Sequence, residues 1–330
     1  MGKTTIEWTE YGWPVVTGCS RVSEGCRNCY SEKLTATRLS HLQQYKGLAE
    51  VKNGHAQWTG EVRLNEAVLQ DPLHWRKPRR IFVCQMSDLF HPKVSDDFIN
   101  RVFAVMALCP QHTFQILTKR PKRMLEYVEG FAVGESDLIP PFGPVKHADG
   151  LRAAVHNWPL PNVWLGVSVE DQKTADERIP LLLQTPAAVR WLSYEPALGP
   201  LNLEELPSAS GIGRYLDSLS NAGVDPGAKI PSKLDWVIAG GESGPHARPS
   251  HPDWFRSVRD QCHAAGVPFF FKQWGEWVQS PDSEDAYDAV RGFLTVPLGG
   301  AFKRVGKKRA GRMLDGREWN EYPSSTGLHK

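Results

Sequence analysis

Eight short runs of apolar and β-branched residues recur along this chain, and their spacing constrains its fold more than any other feature. They are Ile6–Trp8, Val62–Leu64, Arg80–Cys84, Thr113–Leu117, Val163–Val169, Val189–Ser193, Asp235–Ala239 and Val267–Lys272. Runs this short and this continuous read as strands buried on both faces, the pattern of a parallel sheet covered by helices. Between some of them the period changes to a helical one. Over Asp97–Leu108 the residues Phe98, Val102, Val105 and Met106 recur three or four apart, behind Ser95 as an N-cap. Over Asp253–Ala265 the set Phe255, Val258 and Cys262 does the same, with Pro252 in the first turn and Gly266 just past the end. Strands alternating with helices define the α/β class, with right-handed βαβ crossovers. Eight strands predict a full or partial (β/α) barrel.

A chain of 330 residues accommodates that barrel over residues 1–275. Two stretches rich in Gly, Pro, Ser and Asp, residues 130–160 and 204–234, break the rhythm and read as insertions rather than domains. Residues 276–330 lose the alternation and become basic, as expected of a C-terminal extension beside the barrel mouth. With 41% apolar and 23% charged residues, wholesale disorder is excluded. No apolar run approaches a membrane span, and the N-terminus lacks a secretory apolar stretch, so the expectation is a cytoplasmic protein without membrane contact. The net charge of +2 is uninformative. Its distribution is not, because Arg76–Arg80, Lys119–Arg123 and Lys303–Arg312 form three basic clusters. With Trp75, Trp274 and Trp277 as stacking surfaces, they make nucleic acid a candidate partner if they share one approach to the barrel mouth.

In such barrels the chemistry gathers on the loops after the strand C-termini. There the sequence places Ser87-Asp88, Thr118-Lys119-Arg120, Glu170-Asp171, Glu195, Gly241-Glu242-Ser243 and Gln273-Trp274. Helix capping explains some of the Ser, Asp and Thr residues. It does not explain so many charges at one rim, nor the cysteines.

Three of the six cysteines lie within eleven residues, Cys19, Cys26 and Cys29, in a C-x6-C-x2-C loop punctuated by Gly18 and Gly25. Three thiolates on such a loop can hold three irons of a [4Fe–4S] cluster and leave the fourth open to a ligand. Zinc with a histidine as fourth ligand is one alternative, although no histidine lies near in sequence. Unligated thiols near a barrel mouth are the other. Cys84, on an expected strand, and Cys109 and Cys262, on expected helices, read as small buried apolar residues.

The cysteine loop resembles that of the radical S-adenosylmethionine superfamily, with six residues in a gap that usually holds three. Its ending Cys29-Tyr30, followed in order by Val62-Arg63-Leu64-Asn65, Met86-Ser87-Asp88-Leu89-Phe90-His91-Pro92 and Leu117-Thr118-Lys119-Arg120-Pro121, is similar to the spore-photoproduct-lyase-like branch. A closer resemblance is to a phage and prophage family of unknown function with a three-cysteine motif. That pattern recurs in Ile6-Glu7-Trp8-Thr9, Thr17-Gly18-Cys19, Trp164-Leu165-Gly166-Val167-Ser168-Val169-Glu170, Ser193-Tyr194-Glu195-Pro196, Gly240-Gly241-Glu242-Ser243-Gly244 and Phe271-Lys272-Gln273-Trp274-Gly275. The chain departs from it at Gly12-Trp13-Pro14, where the family has Trp-Asn-Pro, and at Cys84-Gln85, where it has Asn-Ser.

The resemblance implies a barrel of the radical S-adenosylmethionine type, a [4Fe–4S] cluster on Cys19, Cys26 and Cys29, and S-adenosylmethionine as cofactor. It also implies a 5′-deoxyadenosyl radical acting on nucleic acid or protein, an electron donor, and a dedicated partner protein. On the rim, Lys119 is the expected partner of the cofactor carboxylate, and Ser87 and Asp88 of its ribose or amino group. Glu242 is the expected contact of the cofactor's adenosine or of the substrate, and Glu170, Glu195 and Lys272 are either substrate-side residues or members of buried structural ion pairs. Two other functions compete: a zinc-bearing nucleic-acid-binding protein, and a non-catalytic iron–sulfur scaffold acting with a partner.

Overall fold

The strands lie in space in the order in which the sequence writes them. The computed structural model describes residues 2–132, 158–207, 215–220, 233–280, 293–295 and 301–324. Its main sheet runs β1 (Gly2–Lys3), β2 (Tyr11–Trp13), β3 (Arg80–Val83), β4 (Thr113–Thr118), β5 (Val163–Val169), β6 (Val189–Tyr194), β7 (Trp236–Gly240) and β8 (Phe269–Gln273). Only the β1–β2 pair is antiparallel; every other neighbour is parallel. The class is therefore mixed α/β around a mostly parallel sheet. The sheet order ends at β1 and β8, without a ladder joining them.

Among the described residues, helices occupy five of the six parallel crossovers. α1 (Tyr30–Ala36) lies between β2 and β3, α2 (Asp96–Ala107) between β3 and β4, and α3 (Pro121–Ala132) between β4 and β5. α4 (Gln172–Gln184) follows β5, and α5 (Pro252–Ala264) follows β7. Local signals set their ends. Ser95 Oγ accepts from the Phe98 amide to start α2, and the Asp171–Thr174 capping box starts α4 immediately after Glu170. Gly266, at φ +65°, ends α5 in a conformation that favours glycine. The helices cover one face of the sheet, burying Ile81, Phe114, Leu165, Leu192, Val237 and Phe271 with the α2 stripe Phe98, Val102, Val105 and Met106. Cys109 and Cys262 are buried in this apolar layer.

Two expected strands are corrected. Ile6–Trp8 lies in a turn closed by the Thr9 amide on Ile6 O, and the strand forms instead at Tyr11–Trp13. Arg63–Leu64 pairs antiparallel with Val16–Thr17, outside the main sheet. Both expected runs are three residues long, too short for periodicity to show whether they join the main sheet. The insertions expected at 130–160 and 204–234 fall largely outside the described residues. The C-terminal segment is not featureless: Trp277–Ser280, Phe293–Thr295 and Ala301–Arg304 form a three-stranded antiparallel sheet. Beyond it the chain returns to the free edge of β8, where Trp319 O accepts from the Phe271 amide and the Glu321 amide donates to Phe269 O. The extension therefore covers an edge that would otherwise present unpaired backbone groups.

Alternation along each strand sorts the opposite face into two halves. On β5 the inward row is Trp164, Gly166, Ser168 and then Glu170; on β6 it is Val189, Trp191, Ser193 and then Glu195. On β4 it is Gln115, Leu117 and then Lys119, and on β8 Phe270 and then Lys272. Each row begins with bulk and ends in small polar and charged groups. In the lower half, Trp8 packs against Phe82 of β3 at 4.7 Å, Trp191 of β6 at 5.1 Å and Trp236 of β7 at 6.3 Å between ring centroids. One indole cannot touch strands so far apart in the order unless the sheet curls around it, since neighbouring strands are spaced by about 4.8 Å. Tyr322 closes the same side, stacked on Trp236 and beneath the Arg80 guanidinium.

Candidate metal and cofactor site

The cysteine loop leaves the end of β2 and lies across the C-terminal ends of the other strands. Gly18, at φ +86°, bridges to Ser87 and passes so close to Glu61 O that a Cβ would sit 2.2 Å from it. The loop is then tied down along its length. Ser87 Oγ donates to Gly18 O, and Arg120 Nη2 donates to Ser20 O and Oγ, both at 3.0 Å. Ser23 Oγ donates to Glu170 Oε1 at 3.1 Å, and Gly25 rides over that carboxylate, leaving no room for a Cβ. Asn28 Nδ2 donates to Glu242 Oε2 at 3.0 Å, and Arg248 Nη2 to Glu24 O at 3.0 Å. Arg21 forks onto the buried Glu32 at 3.1 and 2.7 Å.

Beneath the loop is a cavity of about 240 Å³. It is lined by Cys19, Cys26 and Cys29 together with Ser87, Asp88, Lys119, Glu195, Glu242 and Lys272, so nine of the ten residues singled out by sequence converge here. Its floor is apolar, made by Ile6, Trp8, Phe82 and Leu117. Glu170 is the exception, with its side chain 1% exposed. It is ion-paired to Lys119 Nζ and to Arg178 Nη1 at 3.2 Å, and it supports the loop from below.

Hydrogen bonding separates the other rim residues by what they have left to offer. Asp88 accepts from the Phe90 and Lys119 amides, Thr118 Oγ1 and Arg120 Nη1, and is 4% exposed. Glu242 accepts from Asn28, the Arg248 amide and the Arg248 guanidinium at 2.9 and 2.6 Å. Both carboxylates are consumed by holding loops. Glu195 and Lys272 instead pair with each other at 2.9 Å in the cavity wall, each about one-sixth exposed (16% and 17%). Gln85 and Gln273 add amide oxygens that are buried without a protein partner among the described residues.

The donor set suits a soft metal group. All three loop cysteines are free thiols of intermediate burial, whereas Cys84, Cys109 and Cys262 are fully buried. Burial pushes the Cys19 thiol up to about 12, aided by Asp88 and opposed by Arg120, and burial raises Cys29 as well. Such thiols ionise when a cation arrives to take them. Among the described residues, no three His, Cys, Asp or Glu side chains converge as tightly as a single metal ion requires. Burial also draws the Lys119 ammonium down to about 8, against the pull of Cys26.

Sequence reasoning missed the residues that hold the loop. Arg120 carried a signal, since it follows Lys119 in the Thr-Lys-Arg-Pro motif. Arg178, eight residues after Glu170 on α4, and Arg248, six after Glu242, carried none that period or motif supplies. The two departures from the resembled pattern meet in space: the Gln85 amide occupies the position a Cβ on Gly12 would take, 2.1 Å away. Cys84 turns the chain there at φ +58°, a left-handed conformation uncommon for residues other than Gly, Asn and Asp.

The three basic clusters do not share one approach. Arg79 and Arg80 sit where β3 begins, Lys119 and Arg120 where β4 has ended, at opposite ends of a parallel sheet. Arg79 is stacked on Tyr11 and Trp75, and Lys307 is paired to Glu7 at 3.1 Å. Trp274 packs on Phe255 and Phe271, and Trp277 Nε1 donates to Ala247 O. No helix among the described residues is long and apolar enough to cross a membrane.

The family whose members are described as "Protein of unknown function (DUF5131)" matches residues 3–323, and the chain belongs to it. No curated protein matches the chain. Among solved structures it is similar to spore photoproduct lyase complexed with dinucleoside spore photoproduct, at 11% identity and a TM-score of 0.36, over 92% of this chain and 73% of that one. A cysteine-to-serine mutant of the same lyase gives 11% identity and 0.36, over 90% and 69%. Both are distant likenesses.

Proposed function

We propose that this protein is a radical S-adenosylmethionine enzyme that binds one [4Fe–4S] cluster through Cys19, Cys26 and Cys29. The observation that carries the reading is the convergence of three free thiols with the polar ends of the strands on one cavity. On this reading the curled, open sheet is a partial (β/α) barrel. Cys19, Cys26 and Cys29 would hold three irons of such a cluster and leave the fourth open to a ligand from the cofactor. With S-adenosylmethionine bound, such a cluster supplies one-electron reductive cleavage of the sulfonium, the source of a 5′-deoxyadenosyl radical.

The chain's own residues do the rest. Lys119, on the cavity wall beside the cysteines, keeps ammonium N–H donors beyond its pair with Glu170 and offers them to the cofactor carboxylate. Ser87, Asp88 and Glu242 act through the loop they hold. The Glu195–Lys272 pair faces the substrate and keeps a carboxylate and an ammonium in fixed opposition there. Trp8, Phe82, Leu117 and Ile6 close the floor and exclude water from a reactive carbon centre.

The test is analysis of anaerobically purified protein for iron, sulfide and zinc, followed by incubation with S-adenosylmethionine and dithionite. About four irons and four sulfides per chain, with 5′-deoxyadenosine formed on reduction, are expected. Zinc without sulfide would overturn the assignment. Iron and sulfide without cofactor cleavage would leave a scaffold.

A further inference from the structure

We propose that the Arg120–Asp88 pair sets the reduction potential of the cluster, the guanidinium raising it and the carboxylate lowering it. This rests on the cluster reading above and adds residues that no cysteine motif points to. The geometry is specific. Arg120 Nη1 lies 3.9 Å from Cys19 Sγ and 2.8 Å from Asp88 Oδ2, so one nitrogen faces both the ligand sulfur and the carboxylate. Nη2 is fixed by Ser20 O and Oγ at 3.0 Å each. A planar fork gripped at both ends keeps its charge in place, where a lysine would rotate away.

Both groups are poorly solvated, the Arg120 side chain 11% exposed and that of Asp88 6%. At such sites water screens little, and a unit charge a few ångströms from a ligand sulfur acts on it strongly. Reduction adds one negative charge to the cluster. A donor and positive charge at a ligand sulfur stabilise the reduced state, and a nearby carboxylate opposes it; hydrogen bonds to sulfur and local charge are known levers on such potentials. Asp88 keeps its place without Arg120, because Thr118 Oγ1 and two backbone amides also bond it. The pair is therefore more than a clamp: its members pull the potential in opposite directions.

The experiment is an anaerobic redox titration of the iron–sulfur-loaded full chain, followed by electron paramagnetic resonance. Arg120→Gln should lower the midpoint, shifting the reduction equilibrium by about tenfold, which is about 59 mV for one electron. Asp88→Asn should raise it by a similar factor, and Arg120→Lys should stay closer to wild type than Arg120→Gln. A residue acting only as structural support would not give opposite signs. Unchanged midpoints in loaded Arg120→Gln and Asp88→Asn, or shifts of one sign in both, would overturn the proposal. So would loss of iron and sulfide from both Arg120→Gln and Arg120→Lys, which would make the residue a structural clamp. Wild-type protein without iron and sulfide would instead bring down the cluster reading itself, an outcome read before any titration.

Discussion

The two ends of the inward strand face share β5, β6 and β8 and serve opposite purposes. At the N-terminal end, Trp8, Phe82, Trp164, Trp191, Trp236 and Phe270 fill the curl with rings. At the C-terminal end the rows of β5, β6 and β8, two to four residues later, present Ser168, Ser193, Glu195 and Lys272 to the cavity, with Lys119 beside them from β4. Burial of large rings stabilises one end and leaves little there to react. Charges held in pairs at the other end cost stability unless partners are arranged, and they are: nearly every buried carboxylate meets an arginine or lysine. The lesson is a division of labour along a strand, with the packed end positioning a costly one.

The strongest test of that division is to remove one loop cysteine at a time. Cys19→Ala, Cys26→Ala and Cys29→Ala should each abolish iron and sulfide loading, while Cys109→Ala and Cys262→Ala, in the helix-facing layer, should leave it intact. Full retention of iron and sulfide in any of the three loop variants would sink the assignment.

The packed end should respond in stability instead. Trp191 is fully buried, and its ring fills the space a Cβ on Gly166 would need. Trp191→Ala is expected to cost about 3–5 kcal/mol in denaturant unfolding. A loss below about 1 kcal/mol, within the range of surface substitutions and small repacking, would show that the lower half is not the support described.

A smaller effect is expected at the rim. Lys119→Ala should keep the cluster and weaken S-adenosylmethionine binding by about 1.5–3 kcal/mol, the worth of a hydrogen bond to a charged group. Isothermal titration giving an unchanged Kd would move the carboxylate contact to another residue.

The least effect is a pH dependence. Burial and the neighbouring Arg120 lower the His91 pKa from 6.5 to about 4. Between those values the unfolded chain binds a proton that the folded one refuses. Stability from this group is therefore complete above about 6.5 and is lost as the pH falls toward 4. Unfolding free energies at pH 7 and pH 5 should differ less in His91→Gln than in wild type; equal differences would remove His91 as a source.

How legible the fold is depends on the length of the signal. Long continuous runs, such as Val163–Val169, and strongly periodic ones, such as the α2 stripe, are legible to within a residue or two because period and burial agree there. Ile6–Trp8 misleads because a three-residue run shows that a tryptophan wants cover, without showing whether a strand or a turn provides it. Most of the candidate site residues are legible because a charged group directly after a buried strand emerges at the strand-end rim, where this fold class gathers its polar chemistry. Glu170 lies at the same rim but is turned beneath the loop by Lys119 and Arg178, a contact between elements that no local pattern encodes.

By itself, then, the sequence determined the α/β alternation, the order of the strands and the three-cysteine loop, since all depend on neighbours within a few residues. Only the tertiary structure decided which rim residues are spent and which remain available. Asp88 and Glu242 became loop anchors and Glu195 and Lys272 a cavity-wall pair because arginines outside the strands, Arg120 thirty-two residues beyond Asp88 and Arg248 six beyond Glu242 and bonded to the cysteine loop, reach some carboxylates and not others. A charge's role is set by which opposite charge shares its low-dielectric surroundings, and that pairing exists only once the sheet has curled.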